Sequence, residues 1–322
     1  MQPRRRYVLL TAGLLTALVP AAAPAQTGGK AVIVSTASVE GETISCGCQK
    51  KDIGGIARRA TVIQDARNGS EANLLVDAGD FGSAADFKPW IRTEFQWEMM
   101  GKLGYDAVTP GPNEMVNGLD ALRKLYGSQP GIQVTSANVT DKSGNLIWPD
   151  HLVIERGGVR FGIVGVTDKS YYSYNLTRGK QKQDDFEFQD IRESLARVLP
   201  TVRQDTDVVV LLLHTGYGDA RRLLDDVQGV DVAIIGHAPG YKFLPERHGE
   251  TLIIQSGTRG QYVDVLDLQL DPNGKITDYR GEARPLGDTV PVDDAFNTVV
   301  SRFNKKYDAE KEADEPAEAS GS

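Results

Sequence analysis

Apolar and polar positions along this chain follow two rhythms. Short runs rich in β-branched residues, at 31–35, 74–77, 107–109, 134–137, 151–155, 161–167, 208–214, 232–235, 252–255 and 263–270, have the length and composition of strands. Between them, at 54–68, 86–103, 118–126, 186–204, 218–228 and 293–307, lie amphipathic stretches that predict helices. Runs of the two kinds alternate along much of the chain, which predicts an α/β fold. At Arg156-Gly157-Gly158-Val159 one strand follows another with no helix between, so a hairpin is expected there.

Three polar residues stand where apolar runs end. Asp80 closes Leu74-Leu75-Val76-Asp77-Ala78-Gly79, His214 closes the run from Val208 to Leu213, and His237 closes Val232-Ala233-Ile234-Ile235-Gly236. In an open α/β sheet that edge is where ligands collect. One carboxylate and two imidazoles converging there suit a borderline divalent cation such as zinc or manganese. A structural reading stands beside this one. A histidine at the end of a buried strand is often a hydrogen-bonded core residue, and an aspartate after Ala-Gly often caps a helix.

The blocks around the trio are Gly54-Gly55-Ile56-Ala57-Arg58-Arg59, Val76-Asp77-Ala78-Gly79-Asp80, Leu103-Gly104-Tyr105-Asp106-Ala107-Val108 running into Gly111, Ser136-Ala137-Asn138-Val139, Leu213-His214-Thr215-Gly216-Tyr217, Gly236-His237 and Gln255-Ser256-Gly257-Thr258-Arg259-Gly260-Gln261-Tyr262. In this order they resemble the catalytic domain of the periplasmic 5′-nucleotidase and UDP-sugar hydrolase family of dinuclear metallophosphoesterases, from about residue 31 to residue 286. The resemblance implies two mixed sheets packed face to face and flanked by helices, a four-layer α-β-β-α sandwich with the site at one edge. It also implies hydrolysis of phosphate esters, nucleotides or other small substrates, by two metal ions.

The chain departs from that pattern at the site. The family's Asp-x-His pair at the end of the first strand reads Ser38-Val39-Glu40 here, and its Gly-Asn-His-Glu block reads Gly111-Pro112-Asn113-Glu114. The block that ends in a second histidine reads Gly236-His237-Ala238-Pro239, and proline has no donor to offer a metal. Carried over by position, Asp80 matches the carboxylate that bridges the two metals, and His214 and His237 match ligands of one of them. Asn113 completes that half-site only if its loop shifts by a residue. The resemblance therefore implies at most one divalent ion, zinc or manganese, or none, and the family's catalytic histidine is missing. Two-metal catalysis stabilises both attacking and leaving oxygens, so its reduction predicts slow ester hydrolysis or a catalytically silent scaffold.

The first 25 residues read as a leader: Arg4-Arg5-Arg6, an apolar stretch from Tyr7 to Val19, then small residues ending Ala23-Pro24-Ala25. The stretch is about 13 residues long, short of the roughly 20 that span a bilayer, so no permanent membrane anchor is expected. The protein should reach the periplasm or the medium by the twin-arginine or the general secretory route. Loss of the three arginines takes the formal charge from −8 to −11, and an acidic surface repels nucleic-acid backbones. Residues 26–290 form the expected domain. A C-terminal helix follows within 291–322, where the chain from Lys305 onward turns polar and should fray or form a loose helix.

Four other features carry chemistry. Cys46-Gly47-Cys48 lies between the first strand and the Gly54-Gly55 helix, and in an oxidising compartment it reads as a strained disulfide, a pair of thiolate ligands or an exchangeable dithiol. Arg58 and Arg59 suit phosphate oxygens beside a helix start, or equally a pairing with Asp52 or Asp65. Trp90, Phe95 and Trp97 fall on a helix and read as core. Tyr171, Tyr172 and Tyr174 fall in an expected loop and read as a contact surface for a substrate or a periplasmic protein partner. The alternative to a phosphoesterase is thus a binding or redox module that uses Cys46 and Cys48 on the same scaffold.

Overall fold

The computed structural model describes residues 29–45, 52–86, 88, 90–177, 184–237 and 239–314. The leader at 1–25, Cys46, Cys48 and the tail at 315–322 lie outside them. β1 (Lys30–Thr36) leads through α1 (Ile56–Arg67) to β2 (Asn73–Asp77), and α2 (Ile91–Leu103) leads to β3 (Ala107–Val108). Two short helices, α3 (Pro112–Met115) and α4 (Leu119–Gly127), precede β4 (Gln133–Val134) and β5 (Val139–Thr140). Next come β6 (Leu152–Arg156), β7 (Val159–Thr167), α5 (Lys169–Thr177), β8 (Glu187–Phe188), α6 (Ile191–Asp205), β9 (Val208–His214), α7 (Tyr217–Asp226) and β10 (Val232–Gly236). The described chain closes with β11 (Glu246–His248), β12 (Thr251–Ile254), β13 (Tyr262–Leu270), β14 (Ile276–Pro285) and α8 (Asp294–Asp314).

Two six-stranded mixed sheets result, ordered β14-β13-β1-β2-β3-β4 and β11-β12-β10-β9-β7-β6. In the first, β1 to β4 run parallel and β13 pairs antiparallel to β1; in the second, β7, β9, β10 and β12 run parallel. Side chains alternate across a strand, and each central strand is apolar on both faces. Val208, Val210 and Leu212 of β9 join Ala31, Ile33, Leu74 and Val76 of the first sheet in one core between the sheets. Val209, Leu211 and Leu213 face the other way, onto Leu195, Val198 and Leu199 of α6 and Leu223 and Leu224 of α7. Val32 and Val34 of β1 point outward onto α1, α2 and α4, where Trp97 is fully buried against Phe81 and Tyr126. Three cores between four layers make the α-β-β-α sandwich.

The hairpin between β6 and β7 forms where the glycine pair stands. Gly157 and Gly158 both take positive φ, 53° and 79°, as a turn of type I′ requires. Elsewhere the elements differ from the pattern reading in ways with physical causes. The tyrosine stretch is helix α5, and its start is capped by Asp168, which accepts the Ser170 amide at 2.8 Å. Tyr172 consequently packs inward against Phe186 and Phe188. The helix expected from 186 starts at Ile191, because Asp190 caps it by accepting the Glu193 amide and residues 187–188 are recruited as β8. Trp90 adopts a left-handed φ of 63°, so α2 begins after it. β14 went unpredicted because an edge strand with mostly half-exposed polar residues lacks the apolar run that marks a buried one. Helix α8 runs to Asp314 and packs on α1 and α2, with Phe303 stacked on Phe95 at 3.8 Å.

Candidate metal centre

Sheet topology assembles the site from both sheets. β9 and β10 are parallel neighbours, with His214 opposite Gly236, so His214 at the end of one strand lies beside His237 just past the end of the other. Asp80 arrives from the first sheet, three residues beyond the end of β2. Its carboxylate Oδ2 lies 2.8 Å from His237 Nδ1 and 3.3 Å from His214 Nε2, and the two imidazole nitrogens are 3.1 Å apart. A cation with N and O ligands at about 2.0–2.2 Å in tetrahedral array sets its donors roughly 3.3 Å apart. The three donor atoms lie 2.8 to 3.3 Å apart, slightly inside that spacing, so a small outward shift would admit the ion.

The imidazole of His214 is oriented for such a role. Its Nδ1–H donates to the Ala78 carbonyl at 2.7 Å, which in the neutral ring leaves the Nε2 lone pair facing Asp80 and His237. Burial opposes an imidazolium at His214, yet the Asp80 charge and hydrogen bond and the Ala78 carbonyl outweigh it and raise its pKa. Burial likewise favours protonated Asp80, but the His214 charge and the hydrogen bonds from both imidazoles hold its pKa well below the ordinary range. A fully buried carboxylate thus stays ionised beside two imidazoles, an arrangement that calls for a shared proton or a metal cation.

Backbone geometry around the trio is unusual. Ser38, Glu40, Asp80 and His237 take left-handed φ values of 49°, 57°, 56° and 53° without being glycine, a cost that persists only where surroundings enforce it. Ser38 Oγ accepts the His237 amide at 2.9 Å, and the Ser38 amide donates to the Gly79 carbonyl. Buried Glu114 accepts the amides of Asp80, Gly82 and Gly111, tying the loop after β2 to the loop before α3. Burial and the charge of Asp80 push the Glu114 carboxyl well up against those bonds. At Gly111 the two loops are so close that a Cβ would sit 2.3 Å from Asp80 Oδ1 and 2.4 Å from its amide nitrogen. Gly111→Ala is therefore expected to displace the Asp80 carboxylate and weaken divalent-metal affinity by about 10-fold, at a stability cost of about 1–3 kcal/mol. Metal titration alongside a thermal melt reads both, and unchanged affinity would show that the contact does not set the carboxylate.

Asn113 lines the same cleft. Its amide N–H donates to Asp80 Oδ1 at 2.8 Å and its side-chain Nδ2 to the Gly82 carbonyl at 3.2 Å. The arginines stand apart from the trio. Arg58 pairs with Asp52 at 2.8 Å, and Arg59 is buried with its Nη2 on Gln96. The amides of Gly54 and Ile56 are used by the carbonyls of Leu286 and Thr43. His151 and His248 pair with Asp150 and Asp225. The cleft over the trio, about 500 Å³, is walled by Glu40 and Arg259 from loops, Arg92 from the first turn of α2 and Tyr171 from α5; of these Glu40 is expected from sequence at a ligand position and Tyr171 as a contact surface, whereas Arg92 is not singled out. Tyr171 lies on His237, ring centroids 3.7 Å apart. No short motif pairs Arg92 or Arg259 with the trio, since these residues meet only once the chain is folded.

No family model matches the chain. A snake venom 5′-nucleotidase from Naja atra is 27% identical over 278 residues, 78% of this chain and 51% of that protein. The chain therefore spans about half the length of the curated relatives it matches. Among solved structures, a 5′-nucleotidase precursor from Thermus thermophilus superposes with a TM-score of 0.73 at 22% identity, covering 87% of this chain and 59% of that one. The calcineurin-like phosphoesterase YfkN of Bacillus subtilis gives 0.71 at 21% identity, with 87% of this chain and 98% of that one. The fold is that of the metallophosphoesterases, and the chain resembles the catalytic domain of the 5′-nucleotidases.

Proposed function

We propose that this protein is an exported 5′-nucleotidase-like phosphoesterase that holds one divalent ion, zinc or manganese, at Asp80, His214 and His237 and acts slowly on small phosphate esters. The convergence of three donor atoms near ligand spacing, with the His214 tautomer set by Ala78, carries the reading. Such an ion supplies Lewis acidity toward a phosphoryl oxygen and acidifies a water. The residues themselves hold the geometry: Ala78 aims His214, Ser38 fixes the turn at His237, and Glu114 fixes Asp80. Pro112 and Asn113 stand where the family places an Asn ligand and its catalytic histidine, so no imidazole from that block stabilises the leaving charge. Loss of one such stabiliser costs about 10² to 10³ in rate, and activity well below that of a complete dinuclear enzyme is expected. Metal analysis of the mature protein, together with phosphatase assay on a nucleoside monophosphate, tests this. Mature protein that retains no stoichiometric zinc or manganese would remove the reading.

The runner-up is a catalytically silent binding or redox module, favoured by Ser38, whose hydroxyl accepts a backbone amide where the family has a ligand. Metal-loaded protein with no esterase rate above that of Asp80→Asn would select it, and a thiol count at Cys46 and Cys48 on the same sample would give its redox state. Export is proposed from the leader alone. Among the described residues no helix is long and apolar enough to cross a membrane.

A further inference from the structure

The cleft above the trio is electrostatically unfinished for an anionic ester. Its lining carries Glu40, Glu42 and Asp80 against Arg92 and Arg259, one more acid than base when both imidazoles are neutral. A divalent ion held by Asp80, His214 and His237 would reverse that sign. A dianion lying in the cleft needs a second cationic contact.

The two arginines are not equivalent candidates. Arg92 is committed: its Nε lies 2.5 Å from the buried Asp86 carboxylate, its Nη2 donates to Ser83 Oγ and the Ala85 carbonyl, and its side chain is 22% exposed. Arg259 is 53% exposed and turns Nε and Nη2 toward a single oxygen of Glu42, at 3.2 and 2.8 Å. Its backbone is built into the site. Arg259 takes a left-handed φ of 57° and donates its amide to the Ser38 carbonyl at 2.6 Å, while Ser38 Oγ accepts the His237 amide. One serine therefore fixes both the metal-side histidine and the arginine.

We propose that Arg259 is an anion-recognising residue of this cleft, its guanidinium taking the terminal oxygens of a phosphate monoester bound beside Asp80 and His237, with Glu42 as an intramolecular competitor that the phosphate displaces. The proposal rests on the phosphoesterase reading of the cleft and assigns it a substrate contact. Guanidinium and phosphate match two oxygens to two N–H groups, which an ammonium does not reproduce.

The experiment is calorimetric titration of the mature full-length protein with inorganic phosphate, with and without Mn²⁺, on the wild type and on Arg259→Gln, Arg259→Lys and Glu42→Gln. Arg259→Gln should weaken phosphate binding on the order of 10- to 100-fold with Mn²⁺ affinity unchanged, and Arg259→Lys should restore part of it. Glu42→Gln should tighten binding a few-fold by removing the competitor, an effect that a purely structural arginine does not produce and that stays readable should Arg259→Gln fail to fold. Phosphate binding by Arg259→Gln equal to wild type, or no gain in Glu42→Gln, overturns the proposal. Wild-type protein that binds no phosphate in either condition overturns it too. Failure to take up Mn²⁺ while phosphate still binds through Arg259 would instead sink the metal reading alone.

Discussion

Asp80→Asn is expected to weaken binding of zinc or manganese by about 100-fold or more while leaving the fold intact. The substitution is nearly isosteric, and an asparagine oxygen can still accept the Asn113 amide that Asp80 Oδ1 accepts at 2.8 Å. The other arm changes character. Where Oδ2 now faces His237 Nδ1 and His214 Nε2 at 2.8 and 3.3 Å, the variant presents an NH₂ group, which donates and cannot ligate. Two imidazoles remain, with no anion to offset the charge of the ion. Removing an outer partner of a metal ligand already costs about 10- to 100-fold in affinity, so exchanging the only carboxylate among the three donors should cost at least the top of that range. The variant also removes the charge that sustains a raised His214 pKa, since Asp80 is the largest contribution favouring the imidazolium. Equilibrium dialysis with metal analysis reads the affinity, and circular dichroism confirms the fold. Retention of one tightly held ion per chain in the variant would mean that the metal sits elsewhere.

Legibility of this molecule from sequence followed burial. Strands apolar on both faces, such as β9 and β10, announce themselves as continuous runs, and the polar residue that ends such a run is conspicuous for that reason. Asp80, His214 and His237 were visible on those grounds, and the chain brings their donor atoms within 4.8 Å of one another. Trp97 on its helix likewise read as core and is fully buried. What periodicity missed has weak contrast. β14 pairs with β13 along nearly its whole length, yet its residues are mostly half-exposed and polar, and only the turn at Asp271-Pro272-Asn273-Gly274 preceding it signals a hairpin. α5 was obscured because its aromatic residues divide between a core contact at Tyr172 and the cleft wall at Tyr171, so no single face is apolar. Arg259 was hidden differently. Its importance depends on Ser38 and Glu42, more than 200 residues away in sequence, and such contacts have no local trace.

Asp264→Asn should stabilise the protein at pH 8 relative to pH 4 by up to about 4 kcal/mol when each pH is compared with wild type. Asp264 lies on β13 opposite Ser35 of β1, 2% exposed, and its carboxylate relies on two hydroxyls, Ser256 at 2.6 Å and Ser35 at 3.5 Å. Burial raises its pKa from 3.8 to about 7, against the smaller lowering by those hydroxyls. The folded pKa thus exceeds the unfolded one, so the folded state binds the extra proton between them. Below pH 3.8 both states are protonated and the residue costs nothing. As pH rises from 3.8 to about 7 the unfolded chain ionises first and stability falls, and above 7 the full penalty of about 4 kcal/mol, at 1.36 per pKa unit, persists. An asparagine is neutral throughout, so its advantage should grow across that window and then level off. Burial likewise pushes the Asp77 carboxyl up to about 7, but it stands three residues from Asp80 and its titration would mix with that of the Asp80, His214 and His237 cluster; Asp264 reports on the sheet alone. Denaturant unfolding of both proteins at several pH values between 4 and 8 provides the measurement. A stability difference that does not change across that range would show that the Asp264 carboxyl ionises in the folded protein at its ordinary pKa.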